Sequence, residues 1–207
     1  MKSKVLFVIF LLACAVMTAQ ETINIGGNWE FQIDREDVGI GEKWWEKKLK
    51  DKIKLPGSMP ERMKGDDISV NTQWVGSLYD SSYFYNPYME KYRKPGKMKL
   101  QFFLTPDKHY VGVAWYRRTV TLKDYDNKAR YTIYLERPHI ETTLYVNGYC
   151  VGKQNSLSVA HEYDVTEHLK AGKNVIAVRV DNRHETVNVG QDSHSVTDQT
   201  QGAWNGI

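Results

Sequence analysis

Four segments in the second half of the chain read as strands, most of them alternating apolar and polar residues with the two-residue period of a half-buried strand, and no helix longer than one turn separates them. Val111 to Leu122 sets Tyr116, Val120 and Leu122 on one face and Arg117, Thr119 and Thr121 on the other. Arg130 to Glu136 gathers Tyr131, Ile133 and Leu135 on one side, and Val175 to Asp181 gathers Ile176, Val178 and Val180. Glu141 to Val146 runs into Asn147-Gly148, a dipeptide suited to a tight hairpin because both positions tolerate positive φ. Short strands punctuated by turns, without a βαβ rhythm, exclude a parallel α/β fold and predict an antiparallel sandwich.

The first half is less regular. Asn28 to Ile33 alternates and reads as a strand after the turn at Gly26-Gly27. Glu42 to Lys50, carrying Trp44, Trp45 and Leu49, reads as an amphipathic helical excursion. Lys52 to Leu55 then stops at Pro56-Gly57. Asp164 to Leu169 reads as one helical turn capped by Asp164 or Thr166. From about Asp66 to Pro106 there is no sustained period, yet the stretch holds Trp74, Tyr79, Tyr83, Phe84, Tyr85, Tyr88 and Tyr92. So long an excursion in a compact domain points to a functional loop or a loop packed on a neighbour.

The amino terminus stands apart from this pattern. Lys2 and Lys4 precede an apolar run from Val5 to Val16, and Thr18-Ala19-Gln20 follows. This is the form of an export signal over residues 1–19, leaving 20–207 as one domain. The run is shorter than the roughly 20 residues a membrane span requires. Leu11-Leu12-Ala13-Cys14 leaves lipid attachment at Cys14 as a second option, and either route sends the chain to the periplasm or the outside of the cell. Cleavage removes two lysines and no acids, so 26 Lys and Arg face 25 Asp and Glu. That balance argues against a nucleic-acid partner. Only Cys150 is left, so an intramolecular disulfide is excluded and stability must come from packing.

Sugars are held by aromatic faces against their C–H surfaces and by planar amides, carboxylates and guanidinium groups that take hydroxyls in pairs. The long loop supplies the aromatics. The stretch from Val187 to Trp204 supplies Asn188, Gln191, Asp192, Asp198, Gln199 and Gln201 beside Trp204. A glycosidase needs two carboxyl groups across the scissile bond, and spacing pairs none here. The six histidines show no HExxH spacing, and neither a phosphate-cradling loop nor a nucleophile elbow is present; the residues call for no cofactor and no metal.

Six ordered motifs carry a further reading. Gly27-Asn28-Trp29-Glu30-Phe31 is followed by Leu55-Pro56-Gly57-Ser58 and by Tyr110 to Arg118. Val146-Asn147-Gly148 leads through Val151-Gly152 to Tyr163-Asp164-Val165-Thr166. Gly172-Lys173-Asn174 precedes Val178 to Asn182, and Trp204-Asn205-Gly206-Ile207 closes the series. From Gly26 to Ile207 the chain resembles the amino-terminal sugar-binding domain of glycoside hydrolase family 2, the β-galactosidase and β-glucuronidase family.

The resemblance implies an all-β jelly-roll sandwich of the galactose-binding type, with the aromatic-rich stretch as a loop insertion. It also implies a retaining exo-glycosidase whose two catalytic glutamates lie in a separate barrel, so this chain has no catalytic residue of its own. No Asn-Glu pair of the catalytic kind occurs in it. The chain is expected to be a fragment that stops inside the closing strand. By the same resemblance, substrate contacts fall on Asp198 and Gln201 just before the tryptophan of the closing motif, on that Trp204, and on Asn71 and Asp80 in the long loop. The implied partners are a terminal glycoside, a catalytic domain of the same protein, and a second copy in the full-length enzyme. The sugar itself stays open, and a free-standing carbohydrate-binding module is the alternative.

Overall fold

The computed structural model describes residues 21–67, 72, 87–94, 108–156, 159–183 and 205–207. Ten strands appear among them, in chain order β1 (Gly27–Asp34), β2 (Asp51–Leu55), β3 (Asp66–Asp67), β4 (Lys108–His109), β5 (Val113–Leu122), β6 (Thr132–Leu135), β7 (Glu141–Val146), β8 (Tyr149–Asn155), β9 (His161–Asp164) and β10 (Gly172–Asp181). Six form one antiparallel sheet in the order β2-β1-β5-β10-β7-β8, and β6 pairs with β9 in a second layer.

The alternation in the sequence decides which residues meet. Phe31 lies opposite Tyr116, Tyr116 opposite Val178, and Val178 opposite Leu144, so all four share one face. Ile133, Leu135, Tyr163 and Val165 cover that face from the β6–β9 layer and complete the main core with Trp29, Ile53, Met59 and Tyr110. Each large apolar group fully buried here contributes about 1.5–3 kcal/mol. One polar thread crosses the layers: the Thr142 hydroxyl of β7 meets His161 Nδ1 at 2.6 Å and the Tyr163 hydroxyl at 2.7 Å. Burial above all pushes the Tyr163 phenol up to about 12.

The opposite face of the six-stranded sheet is also covered, which is why every residue of β7 is buried. Its cover is the segment between β1 and β2. Trp44 packs on Trp115, and Trp45 stacks on Tyr145 with ring centroids 4.3 Å apart and an interplanar angle of 5°. The helix expected over Glu42 to Lys50 does not form. The segment is a chain of turns, closed by bonds such as Trp44 N–H to the Gly39 carbonyl, and Lys43 sits at φ 54°, outside any right-handed helix. Packing two indoles on the sheet outweighed helical propensity.

The hairpin at Asn147-Gly148 forms as expected, with φ of 50° and 93°. The turn after Asp164 is a 3-10 turn over Thr166–His168, in which Asp164 Oδ1 accepts the Thr166 N–H at 3.1 Å. Strand β5 begins at Val113, because Gly112 takes a φ of 146°. Within the long loop the described part is a 3-10 turn, Pro87–Met89, continued by one helical turn, Glu90–Arg93.

Candidate functional site

One end of the sandwich collects the polar residues. Asp34, Asp181 and Glu141 occupy the last positions of their ladders on the Trp115 face, with Asp34 and Asp181 both opposite Val113 and Glu141 opposite Asp181. They are 2%, 1% and 5% exposed, so each anion needs a partner. Asp34 accepts the N–H groups of Val38 and Gly39 at 2.9 and 2.8 Å and the Trp115 indole at 3.0 Å. It therefore shapes the turn that starts the tryptophan-bearing cover.

Arg179, itself buried, serves three carboxylates. Its guanidinium lies 2.8 Å from Asp37, 3.2 Å from Asp181 and 3.6 Å from Glu141. Lys153 closes on Glu141 at 2.7 Å, and Arg183 bridges Asp181 and Asp37, meeting Asp37 at 2.9 Å. Buried ion pairs of this kind add little net stability, yet removing one partner is costly, so they fix geometry. Burial raises the Asp37 carboxyl, and hydrogen bonds from Arg179 and then Arg183 outweigh it, holding the group below the usual carboxylate range.

Beside this network opens a cleft of about 190 Å³, lined in part by Asp34, Arg35, Asp37, Tyr110, Gly112 and Arg183. Arg35 forks onto Asp66 at 2.6 and 3.1 Å and lies over the Tyr110 ring, 5.5 Å from its centroid. The Arg35 hydrogen bond, above all, pulls Asp66 below its ordinary value. Asp37 and Asp66 thus both move away from the raised pKa that a general acid needs. Paired carboxylates and guanidinium groups at such a cleft suit hydroxyl recognition better than proton transfer. Among the described residues no group of His, Cys, Asp and Glu is arranged to hold a metal.

The same end roots both stretches that carry the expected sugar contacts. Strands β3 and β4 pair Asp66 with His109 and Asp67 with Lys108, so the chain leaves at residue 67 and re-enters at 108 at one place. At the other root, β10 ends at Asp181 and the chain re-enters at Asn205. Asn182 donates to the Tyr110 carbonyl at 2.8 Å and accepts from Gly112 N–H at 2.7 Å. Asn205 donates to the carbonyls of Val180 (3.0 Å) and Gly112 (3.3 Å), and accepts from the Tyr116 hydroxyl at 2.7 Å. Gly206 then bridges to Ser58.

The five expected contact residues, Asn71, Asp80, Asp198, Gln201 and Trp204, all lie outside the described residues. Sequence reasoning did not single out Asp34, Arg35, Asp37, Asn182 or Asn205. Asn182 and Asn205 stood inside two of the six motifs, and that position was the available signal. Arg179 and Asp181 shared that motif with Asn182, whereas their partners had no signal: Asp37 and Arg183 are 146 residues apart and meet only through the fold.

The comparisons bear directly on this architecture. Residues 23–207 match the family described as "Glycosyl hydrolases family 2, sugar binding domain". A putative β-glucuronidase of Formosa agariphila is 33% identical over 72 residues, which is 35% of this chain and 9% of that protein. β-Galactosidase BoGH2A of Bacteroides ovatus is 32% identical over 75 residues, 36% of this chain and 9% of its own length. The matched stretches of the chain thus span only about a tenth of these curated relatives. Among solved structures, a β-glucuronidase of an uncultured Clostridium species superposes with a TM-score of 0.51 at 21% identity, covering 80% of this chain and 24% of that one. At that identity the superposition speaks for the fold alone, and the fold is the β-sandwich. The match across residues 23–207 places the chain in the family of sugar-binding domains of family 2 glycosyl hydrolases.

Proposed function

We propose that this chain is the sugar-binding domain of an exported, retaining glycoside hydrolase, and that it contributes to the terminal-sugar subsite without supplying catalytic residues. The observation that carries this reading is the common root of the stretches 68–107 and 184–204 beside the polar end of the sheet. Asn71 and Asp80 on the first, with Asp198, Gln201 and Trp204 on the second, are the proposed sugar contacts. Catalysis belongs to a barrel elsewhere in the same protein, against which the domain packs, and the full-length enzyme assembles with copies of itself. Support comes from much longer relatives, of which the matched stretches are 9%, named β-glucuronidase and β-galactosidase.

The test compares this chain alone with the complete protein encoded with it. The isolated chain is expected to leave aryl glycosides intact and to bind monosaccharides weakly or not at all, whereas the complete protein hydrolyses one of them. Asp198→Ala in the complete protein should raise KM. Turnover by the isolated chain that disappears on a single carboxylate substitution would overturn the assignment. Micromolar affinity of the isolated chain for a simple sugar, with no barrel encoded downstream, would favour a free-standing carbohydrate-binding module. Export through residues 1–19 is read from the mass of the mature protein, and attachment at Cys14 from its incorporation of labelled fatty acid.

A further inference from the structure

We propose that Asn182 and Asn205 are positioning residues, a pair of clamps that hold the two roots of the sugar subsite in register through the Gly112 peptide. The inference rests on the subsite reading above. Both side chains are fully buried. Asn182 grips the Gly112 N–H and the Tyr110 carbonyl, which belong to the root that re-enters at Lys108. Asn205 grips the Gly112 carbonyl from the root that re-enters after residue 204, and ties it to Val180. Gly112, in the first root, is thus held at its N–H by the outgoing arm of the second root and at its carbonyl by the returning arm.

The choice of residue follows from the geometry. A carboxamide presents one acceptor and two donors in a plane, and each asparagine uses both kinds. Aspartate would keep the acceptor and lose the donors; leucine would lose all three. Position 112 admits only glycine, because a Cβ there would stand 2.7 Å from the Tyr110 hydroxyl at a φ of 146°. The Asn205 carbonyl also accepts the Met59 N–H at 2.7 Å, which ties the clamp to the main core. Displacing either root displaces the sugar-contacting stretch attached to it, and misplacement of about 1 Å is enough to weaken a positioned contact severely.

The molecule supplies its own control. Asn174 is equally buried and equally engaged, holding the Lys170 and Gly172 carbonyls and the Lys170 N–H, but at the opposite end of β10. Asn182→Asp, Asn205→Asp and Asn174→Asp are therefore compared in the complete protein encoded with this chain. All three should lower the melting temperature. Only the first two should raise KM for the hydrolysed glycoside, by about tenfold with kcat changed less than about twofold. Hydrogen exchange adds a readout independent of turnover: Asn182→Asp should speed amide exchange at Asn205–Ile207, and Asn205→Asp at Tyr110–Gly112. Equal KM effects from all three variants, or exchange that changes only beside the substituted residue, overturns the proposal. A wild-type protein that neither binds nor hydrolyses glycosides removes the subsite reading instead, and the clamp's role in sugar binding falls with it.

Discussion

At the scale of single residues, the polar groups divide by what they hold. Asn174 is fully buried and saturated, its carboxamide accepting from Asn147 and Lys170 and donating to two carbonyls. Asn174→Ala strands those partners, and a loss of about 2–3 kcal/mol is expected in urea unfolding. Asp37 holds arginines rather than backbone, and its effect depends on pH. Its folded-state pKa lies below the unfolded value, so its contribution is fully present above the unfolded pKa and is lost as pH falls through the folded one. Asp37→Asn removes that dependence, and the acid limb of stability against pH should become shallower. An unchanged acid limb would mean that Arg179 and Arg183 do not depress Asp37.

At the scale of elements, the tryptophan-bearing segment between β1 and β2 covers a sheet face that would otherwise meet water. Trp45 is half-buried, and Trp45→Ala uncovers Tyr145 and empties the stack against it. The expected cost is about 2 kcal/mol, with loss of near-ultraviolet circular dichroism from the indole cluster. The segment also marks the limit of reading structure from sequence. Strands β5 and β10 were legible because apolar residues such as Tyr116 and Val178 recur with a period of two, and β7 because it runs into Asn147-Gly148. The cover segment has the apolar spacing of a helix, but nothing local reveals that Asp34 will pin Val38 and Gly39 into a turn. Strand β8 lacked a signal for a different reason: as an edge strand it keeps Tyr149, Cys150 and Lys153 exposed, and an apolar stripe never develops.

For the whole molecule, the division between a packed end and a polar end organises everything else. Core residues such as Phe31 and Tyr116 were identifiable one by one, whereas the polar end assembles Asp34, Glu141 and the Asp181–Arg183 pair from three separate stretches of chain. The proposed sugar contacts lie on the two excursions, and only the fold shows that both excursions spring from this end. Arg179 tests how tightly that end is integrated. It is 6% exposed and faces three carboxylates, so Arg179→Met leaves Asp181 and Glu141 short of a cation while keeping most of the volume. A loss of about 3–5 kcal/mol is expected in denaturant unfolding. Arg179→Lys should recover only part of it, because an ammonium cannot fork across three partners.

The hairpin between β7 and β8 carries one more implication, for how the protein ages. An asparagine followed by glycine is the sequence most prone to spontaneous deamidation, in which the glycine nitrogen attacks the side-chain carbonyl carbon and expels ammonia. Asn147 resists that attack by being occupied. Its amide nitrogen donates to the His168 carbonyl at 2.7 Å and to Asn174 at 2.8 Å, while its oxygen accepts the Val175 N–H at 2.9 Å. Isoaspartate at position 147 should accumulate slowly in the native protein and much faster in urea or in the Asn174→Ala variant. Peptide mapping of stored samples would then report how long each molecule has spent with this corner undone.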